Sequence, residues 1–124
     1  MNSIIQKHKE CFACMITTGL EEHHCLFGFD GDRELSEQYG LKVWLCNRHH
    51  RDSKYGVHFN AEFDKSLKAL AQRCFMVEYP HLDFVQIFGR NYIDENEVKE
   101  KAKQWSKTHK QKKKSLFRYP STKN

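Results

Sequence analysis

The sequence predicts a small α+β domain stabilised by a bound metal ion, with additional helices toward its C-terminal side. Short segments with alternating apolar residues, typical of strands, precede a long segment with the apolar spacing of an amphipathic helix. A Cys-x-x-Cys pair and a Cys-x-x-His pair have the spacing of metal ligands. At 124 residues and 14.8 kDa, the chain can form one compact domain with a modest core.

Composition indicates a soluble protein of the cytoplasm. Hydrophobic residues make up 39% of the chain and charged residues 30%. No apolar stretch is long enough to cross a membrane, and the N-terminal residues do not have the pattern of a signal peptide. Five cysteines are an odd number in a chain without an export signal. Metal binding is therefore a better explanation for them than a disulfide framework.

Charge divides the chain into two predicted regions. Residues 1–93 contain 11 Lys and Arg against 12 Asp and Glu, whereas residues 94–124 contain 10 against 4. The second region is predicted to be a basic tail, partly helical or disordered, that includes Lys112, Lys113 and Lys114. Such a tail suits a nucleic-acid backbone, but a solvated, unstructured terminus explains it equally well.

The N-terminal half is predicted to contain a hairpin. A leader and a cysteine turn come first, and a strand follows at residues 22–27. A loop rich in Gly and Asp covers residues 28–40. In the second strand, residues 41–46, alternate apolar side chains share one half-buried face. A helix of about two turns is then expected, ending at Gly56.

The C-terminal half is predicted to be helical. The clearest helix follows Asn60, a favourable N-cap, and ends at Pro80. Cys74 lies in its apolar stripe, so we expect this cysteine to fill the core and not to bind metal. A shorter helix ends at Gly89, and a last, weakly packed helix is expected from Asp94 onward.

One predicted metal site combines the two matched pairs. Each pair supplies two ligands from one tight turn, and together they complete a tetrahedral zinc site of the Cys3His type. Its four ligands are Cys11, Cys14, Cys46 and His49. Four protein ligands leave no position open for water or substrate, so the predicted role is structural. The alternative is two unrelated pairs.

Further histidines lie around the same elements. His23 and His24 are adjacent, His50 follows the predicted zinc ligand His49, and His58 comes shortly after. Neutral imidazole binds metal ions well, and imidazole is also the usual general base near neutral pH. This clustering favours a site that holds a cation and deprotonates a water molecule. For any single histidine, an ordinary hydrogen-bonded ring is the simpler explanation.

These patterns resemble the HNH endonuclease family, whose ββα-metal unit is built on a treble-clef zinc knuckle. The similarity runs from Cys11 to about Tyr92. It is greatest to small phage and prophage proteins related to the recombination-enhancement, RecA-dependent nuclease. The stretches that carry it are HHCLFG, SEQYGLKVWLC, HH, GVHFN and FGRNY. The resemblance implies metal-dependent hydrolysis of DNA phosphodiester bonds in a bacterial host cell.

The resemblance also implies a role for each histidine. His23 and His50 would bind the catalytic ion, and His24 would be the general base. His58 is the nearest candidate for a further ligand. The ion would be Mg²⁺, Mn²⁺, Ni²⁺ or Zn²⁺. Three imidazoles favour a transition metal over Mg²⁺ on ligand softness, whereas availability in cells favours Mg²⁺.

The sequence departs from the family pattern in two places. The asparagine that gives the motif its middle letter is replaced by Gly40 or Leu41, so no residue is assigned to orient the base. His58 lies eight residues after His50, which is too far for one helical face. We therefore expect a turn at Tyr55–Val57 to bring His58 back.

The expected partner is double- or single-stranded DNA, and a recombinase filament is a further candidate. Arg48 and Arg51 on the short helix are predicted to contact phosphates, and the alternative for each is an ordinary exposed cation. The rival function is a non-catalytic zinc-binding module that binds DNA or acts as an adaptor. A zinc deaminase is set aside because its signature, a His-x-Glu followed by a Pro-Cys-x-x-Cys helix start, does not occur.

Overall fold

The computed structural model describes residues 2–94, which form an α+β domain as predicted. Its two strands pair antiparallel, and helices follow each of them. The elements are β1 (Leu20–His24), α1 (Asp32–Tyr39), β2 (Lys42–Cys46), α2 (Asn47–Arg51), a 3-10 turn (Val57–Phe59), α3 (Ala61–Glu78) and α4 (Phe84–Phe88). No helix in this described part is long and apolar enough to cross a membrane. The helix predicted from Asp94 onward lies, beyond Asp94 itself, outside the described residues.

The segment predicted as a loop at residues 28–40 contains helix α1, so that prediction is wrong. Gly31 and Gly40 border the helix in the left-handed conformation, with φ of 85° and 73°. The buried hydroxyl of Ser36 accepts a hydrogen bond from the backbone N–H of Leu26 at 3.2 Å and donates one to its carbonyl at 2.9 Å. Because Ser36 occupies both backbone groups of Leu26, β1 ends at His24 and not at the predicted residue 27.

Helix α2 is one turn shorter than predicted. The carboxylate of Asp52 accepts hydrogen bonds from the backbone N–H groups of Lys54 and Tyr55, at 2.8 and 3.1 Å. A side chain that binds backbone groups two and three residues ahead favours a turn over a further helical turn. The chain therefore leaves the helix after Arg51.

Helix α3 forms as predicted, and its apolar stripe lies in the core. The Asn60 side chain accepts a hydrogen bond from the N–H of Phe63 at 3.1 Å and caps the helix. Its buried side chains pack with one face of β2 and with α4. This core contains Leu41, Val43, Leu45, Leu67, Leu70, Ala71, Cys74, Phe75, Phe84 and Phe88. Cys74 is a core residue, as expected from its place in the apolar stripe.

The leader follows the outer edge of β2 and carries the first cysteines to the end of that strand. The side-chain oxygen of Gln6 accepts a hydrogen bond from the N–H of Trp44 at 2.8 Å, and the N–H of Phe12 donates to the Trp44 carbonyl at 2.8 Å. The leader also passes close to Gly40, where an added Cβ would lie 2.5 Å from the Asn2 carbonyl oxygen. These contacts bring Cys11 to Cys46.

Candidate metal centres

Three cysteines and one histidine form the first candidate centre. The ligand atoms of Cys11, Cys14, Cys46 and His49 all lie within 4.8 Å of one another, so this group could hold a metal ion. The sulfurs of Cys14 and Cys46 are 3.8 Å apart, and His49 Nδ1 is 3.2 and 3.7 Å from the sulfurs of Cys46 and Cys11. With metal–sulfur bonds of about 2.3 Å, a tetrahedral site requires sulfurs about 3.8 Å apart. The four residues therefore fit one tetrahedral ion.

Local structure holds these ligands in place. The N–H of Met15 donates to the Cys11 carbonyl at 2.7 Å, which closes the turn between the first two cysteines. Burial by itself would raise the pKa of the Cys11 thiol. Backbone hydrogen bonds from Cys46, Cys14 and Ala13 together outweigh burial and lower the pKa to about 6. A lowered pKa favours the thiolate, which is the form that binds metal.

Three imidazoles form a second candidate centre. The ligand atoms of His23, His50 and His58 also lie within 4.8 Å of one another. Ring centroids are separated by 5.2 Å from His23 to each of the others and by 4.9 Å between His50 and His58. The Nε2 atoms of His50 and His58 are 3.2 Å apart. Tetrahedral coordination with metal–nitrogen bonds of about 2.05 Å requires about 3.3 Å, so the spacing fits a shared ion.

A glycine turn brings His58 to His50, as predicted. The N–H of Gly56 donates to the Asp52 carbonyl at 2.8 Å, and the 3-10 turn follows directly. A Cβ added to Gly56 would lie 2.5 Å from the oxygen and 2.6 Å from the nitrogen of the Asp52 backbone. Phe27 packs edge-on against the rings of both His23 and His58. Only glycine at position 56 allows the backbone to pass this close to the backbone of Asp52.

Two imidazoles of the second centre, those of His23 and His58, have lowered pKa values, which favours the neutral, metal-binding form. Burial, followed by the charges of His50 and His58, lowers the pKa of His23 to about 3. His23 Nε2 is buried and has no hydrogen-bond partner among the described residues, which suits a nitrogen that binds an ion. Partial burial also lowers the pKa of His58. The charge of His50 and then those of Arg33 and Arg51 lower it further, against the opposing charge of Asp64.

Glu21 was not identified from the sequence, although it contacts the second centre. Its Oε1 accepts hydrogen bonds from His50 Nδ1 at 2.7 Å and from Arg51 Nε at 2.8 Å. The hydrogen bonds from His50 and then Arg51 lower the pKa of the Glu21 carboxyl. Strand alternation places Glu21 and His23 on the same face, and this was the available sequence signal.

His24 is not brought into the second centre. It follows His23 in β1, so its side chain belongs to the opposite face of the strand. His24 Nε2 lies 2.9 Å from Glu37 Oε1, and Lys42 Nζ donates to both oxygens of Glu37, at 2.9 and 3.0 Å. Lys42 also pairs with Glu22 at 3.1 Å. Glu37 was not identified from the sequence, because residues 28–40 were predicted to be a loop.

The predicted phosphate-binding residues have different environments. Arg48 is exposed, with its guanidinium 4.4 Å from the ring centroid of Tyr55. Arg51 bonds Glu21, yet its side chain is 62% exposed. Both cations are therefore accessible to an anion. The other predicted contacts, Lys112, Lys113 and Lys114, lie outside the described residues.

We compared the chain with protein-family models, with curated proteins and with solved structures, and none of the three comparisons found a match.

Proposed function

We propose that the protein is a metal-dependent endonuclease of the HNH type that hydrolyses DNA phosphodiester bonds. The observation that supports this most strongly is the presence of two different candidate centres beside one another. The first has four protein ligands and suits a structural ion. The second has three imidazoles, which leave coordination positions for water and phosphate, as catalytic metal sites do.

The proposed fold is a treble-clef ββα-metal unit around a structural zinc ion. Its support is the order of the elements: a cysteine turn, two antiparallel strands connected through α1, and a helix that begins directly after Cys46 and carries both His49 and His50. Three sulfurs and one nitrogen in tetrahedral arrangement suit Zn²⁺. Because His49 and His50 are adjacent on α2, one short helix supplies a ligand to each centre.

In the proposed reaction, His23, His50 and His58 would hold a divalent cation with neutral rings. The cation would supply Lewis-acid stabilisation of the phosphate and of the departing 3′ oxygen. His24 is the proposed general base. The Glu37 carboxylate accepts a hydrogen bond from His24 Nε2. The Nδ1 atom of His24 is therefore left to accept a proton from water. His24 ends β1 and is adjacent in the chain to His23, so the proposal requires the scissile phosphate to lie at this end of the strand, within reach of both residues.

The charges near the second centre suit an anionic polymer. Arg33 and Arg51 lie close enough to His58 to lower its pKa, and both side chains are exposed. Phosphate contacts of this kind depend on Lys and Arg and weaken with salt. The proposed substrate is DNA, and the resemblance to phage and prophage proteins makes a recombinase filament the candidate partner in recombination.

Plasmid nicking tests the proposal. Purified protein is incubated with supercoiled plasmid in Mg²⁺, Mn²⁺, Ni²⁺ or Zn²⁺, with EDTA as the metal-free control. We expect cleavage with at least one transition metal and none with EDTA. His50→Ala should lose cleavage but keep its structural ion, whereas His81→Ala, a histidine outside both centres, should cleave as the unaltered protein does. If no cation supports cleavage, the nuclease proposal fails.

The rival proposal is a non-catalytic zinc-binding module that binds DNA or acts as an adaptor. One observation favours it, namely that His24 lies on the face of β1 opposite to the three imidazoles. It predicts DNA binding without cleavage in any cation. Gel-shift measurements on the same preparations distinguish the two, because binding with cleavage supports the nuclease and binding alone supports the module.

A further inference from the structure

We propose that Glu21 is a positioning residue that fixes the orientation of His50 toward the ion and holds Arg51 beside it. The inference rests on the proposed function, because it assumes that His23, His50 and His58 share an ion. It begins from one atom: Glu21 Oε1 accepts from His50 Nδ1 at 2.7 Å and from Arg51 Nε at 2.8 Å.

The contact with His50 determines which of its nitrogens can bind a metal. A carboxylate can only accept hydrogen bonds, so the hydrogen of the neutral imidazole lies on Nδ1. The lone pair then lies on Nε2, the atom that is 3.2 Å from His58 Nε2. A carboxylate behind a histidine ligand sets the ring orientation and increases the basicity of the binding nitrogen.

The rigidity of this arrangement follows from burial and backbone placement. His50 is buried, and its ring also contacts those of His23 and His58. Glu21 lies on β1 two residues before His23, so the same strand face supplies one ligand and the residue that orients another. A displacement of the Glu21 carboxylate would therefore rotate His50 away from His23.

The contact with Arg51 connects the ion site to the substrate. Arg51 uses Nε for Glu21, and its side chain remains 62% exposed. A guanidinium has further N–H donors on its terminal nitrogens that can bind a phosphate. Through its two hydrogen bonds, Glu21 thus holds the metal ligand His50 and the phosphate-binding cation Arg51 at a fixed separation.

Glu22 provides a matched control. It is the next residue, carries the same carboxylate, and has a side chain 38% exposed, against 35% for Glu21. It belongs to the opposite face of β1 and pairs with Lys42 at 3.1 Å. Glu21→Gln and Glu22→Gln therefore remove the same charge from adjacent positions with similar exposure. Only the first should change the three-histidine site, because Glu22 belongs to a separate group of possible ligands, with His24 and Glu37, on the opposite face.

The experiment measures binding of Co²⁺ to protein that retains its tight structural ion, by calorimetry and by the visible absorption of bound cobalt. We expect Glu21→Gln to weaken cobalt binding about 10- to 100-fold and to change the absorption bands. Glu22→Gln should bind within about twofold of the unaltered protein. Equal cobalt affinity in Glu21→Gln and the unaltered protein would overturn the inference and leave the proposed function intact. If the unaltered protein binds no second ion, the proposed function itself fails.

A second measurement uses only the unaltered protein, so its result does not depend on whether a variant folds. Nitrogen-15 NMR of the imidazole rings in the unaltered protein identifies the nitrogen that carries hydrogen in His50. We expect the hydrogen on Nδ1. A hydrogen on Nε2 would refute the positioning role of Glu21, whatever the behaviour of the variants.

Discussion

Replacement of Gly56 by alanine tests whether the turn after α2 assembles the second centre. The added Cβ would lie 2.5 Å from the Asp52 carbonyl oxygen, whereas ordinary contact begins at 3.4 Å. The two backbone segments must therefore separate by about 0.9 Å, because no side-chain rotation can relieve a contact with backbone atoms. Metal–ligand distances tolerate only about 0.2 Å. His58 should consequently move out of reach of an ion held by His23 and His50.

The expected result is a fall of at least about 100-fold in affinity for the exchangeable ion, since the loss of a direct ligand should exceed the cost of losing a residue that only supports one. Overpacking of this kind also lowers the free energy of unfolding by about 1–3 kcal/mol. The assay is Ni²⁺ calorimetry on protein that retains its structural ion. Ser53→Ala, an exposed change in the same turn, is the control. Unchanged nickel affinity in Gly56→Ala would contradict the three-histidine site.

Three further predictions concern the cysteine centre and His24. A structural zinc contributes about 10–16 kcal/mol, against a total stability of about 5–15 kcal/mol for a typical domain. Cys46→Ser should therefore unfold the protein in circular dichroism, while the core substitution Cys74→Ala stays folded with its zinc. His24→Ala should nick plasmid about 10²- to 10⁴-fold more slowly at unchanged zinc content, and an unchanged rate would remove His24 as the base. The Glu37 carboxyl should titrate by NMR at a pKa of about 2, because hydrogen bonds from His24 and Lys42 stabilise the carboxylate. Its stabilising contribution is then complete above pH 4.5 and is lost as the pH falls toward 2; in His24→Ala the pKa should rise toward 4.5, and a pKa that stays near 2 would contradict this explanation.

The sequence predicted correctly those elements whose structure is set by residues close together in the chain. The spacing of Cys11 to Cys14 and of Cys46 to His49 places each pair in one turn whatever the rest of the fold does. The stripe and cap of α3 likewise act within the helix, so its bounds were predicted closely. Helix α1 was missed because its sequence has few apolar residues, and contacts with Leu26 hold it in place.

The sequence by itself identified the ligands of the cysteine centre and of the three-histidine centre. It also determined that His23 and His24 point to opposite faces of a strand, because side chains alternate along an extended backbone. Only the tertiary structure decided what meets each face. Packing of α2 brought His50 and Arg51 to Glu21 and His23, and packing of α1 brought Glu37 to His24. These contacts join residues distant in the chain, and their geometry depends on how the helices pack against the sheet, which no local pattern encodes.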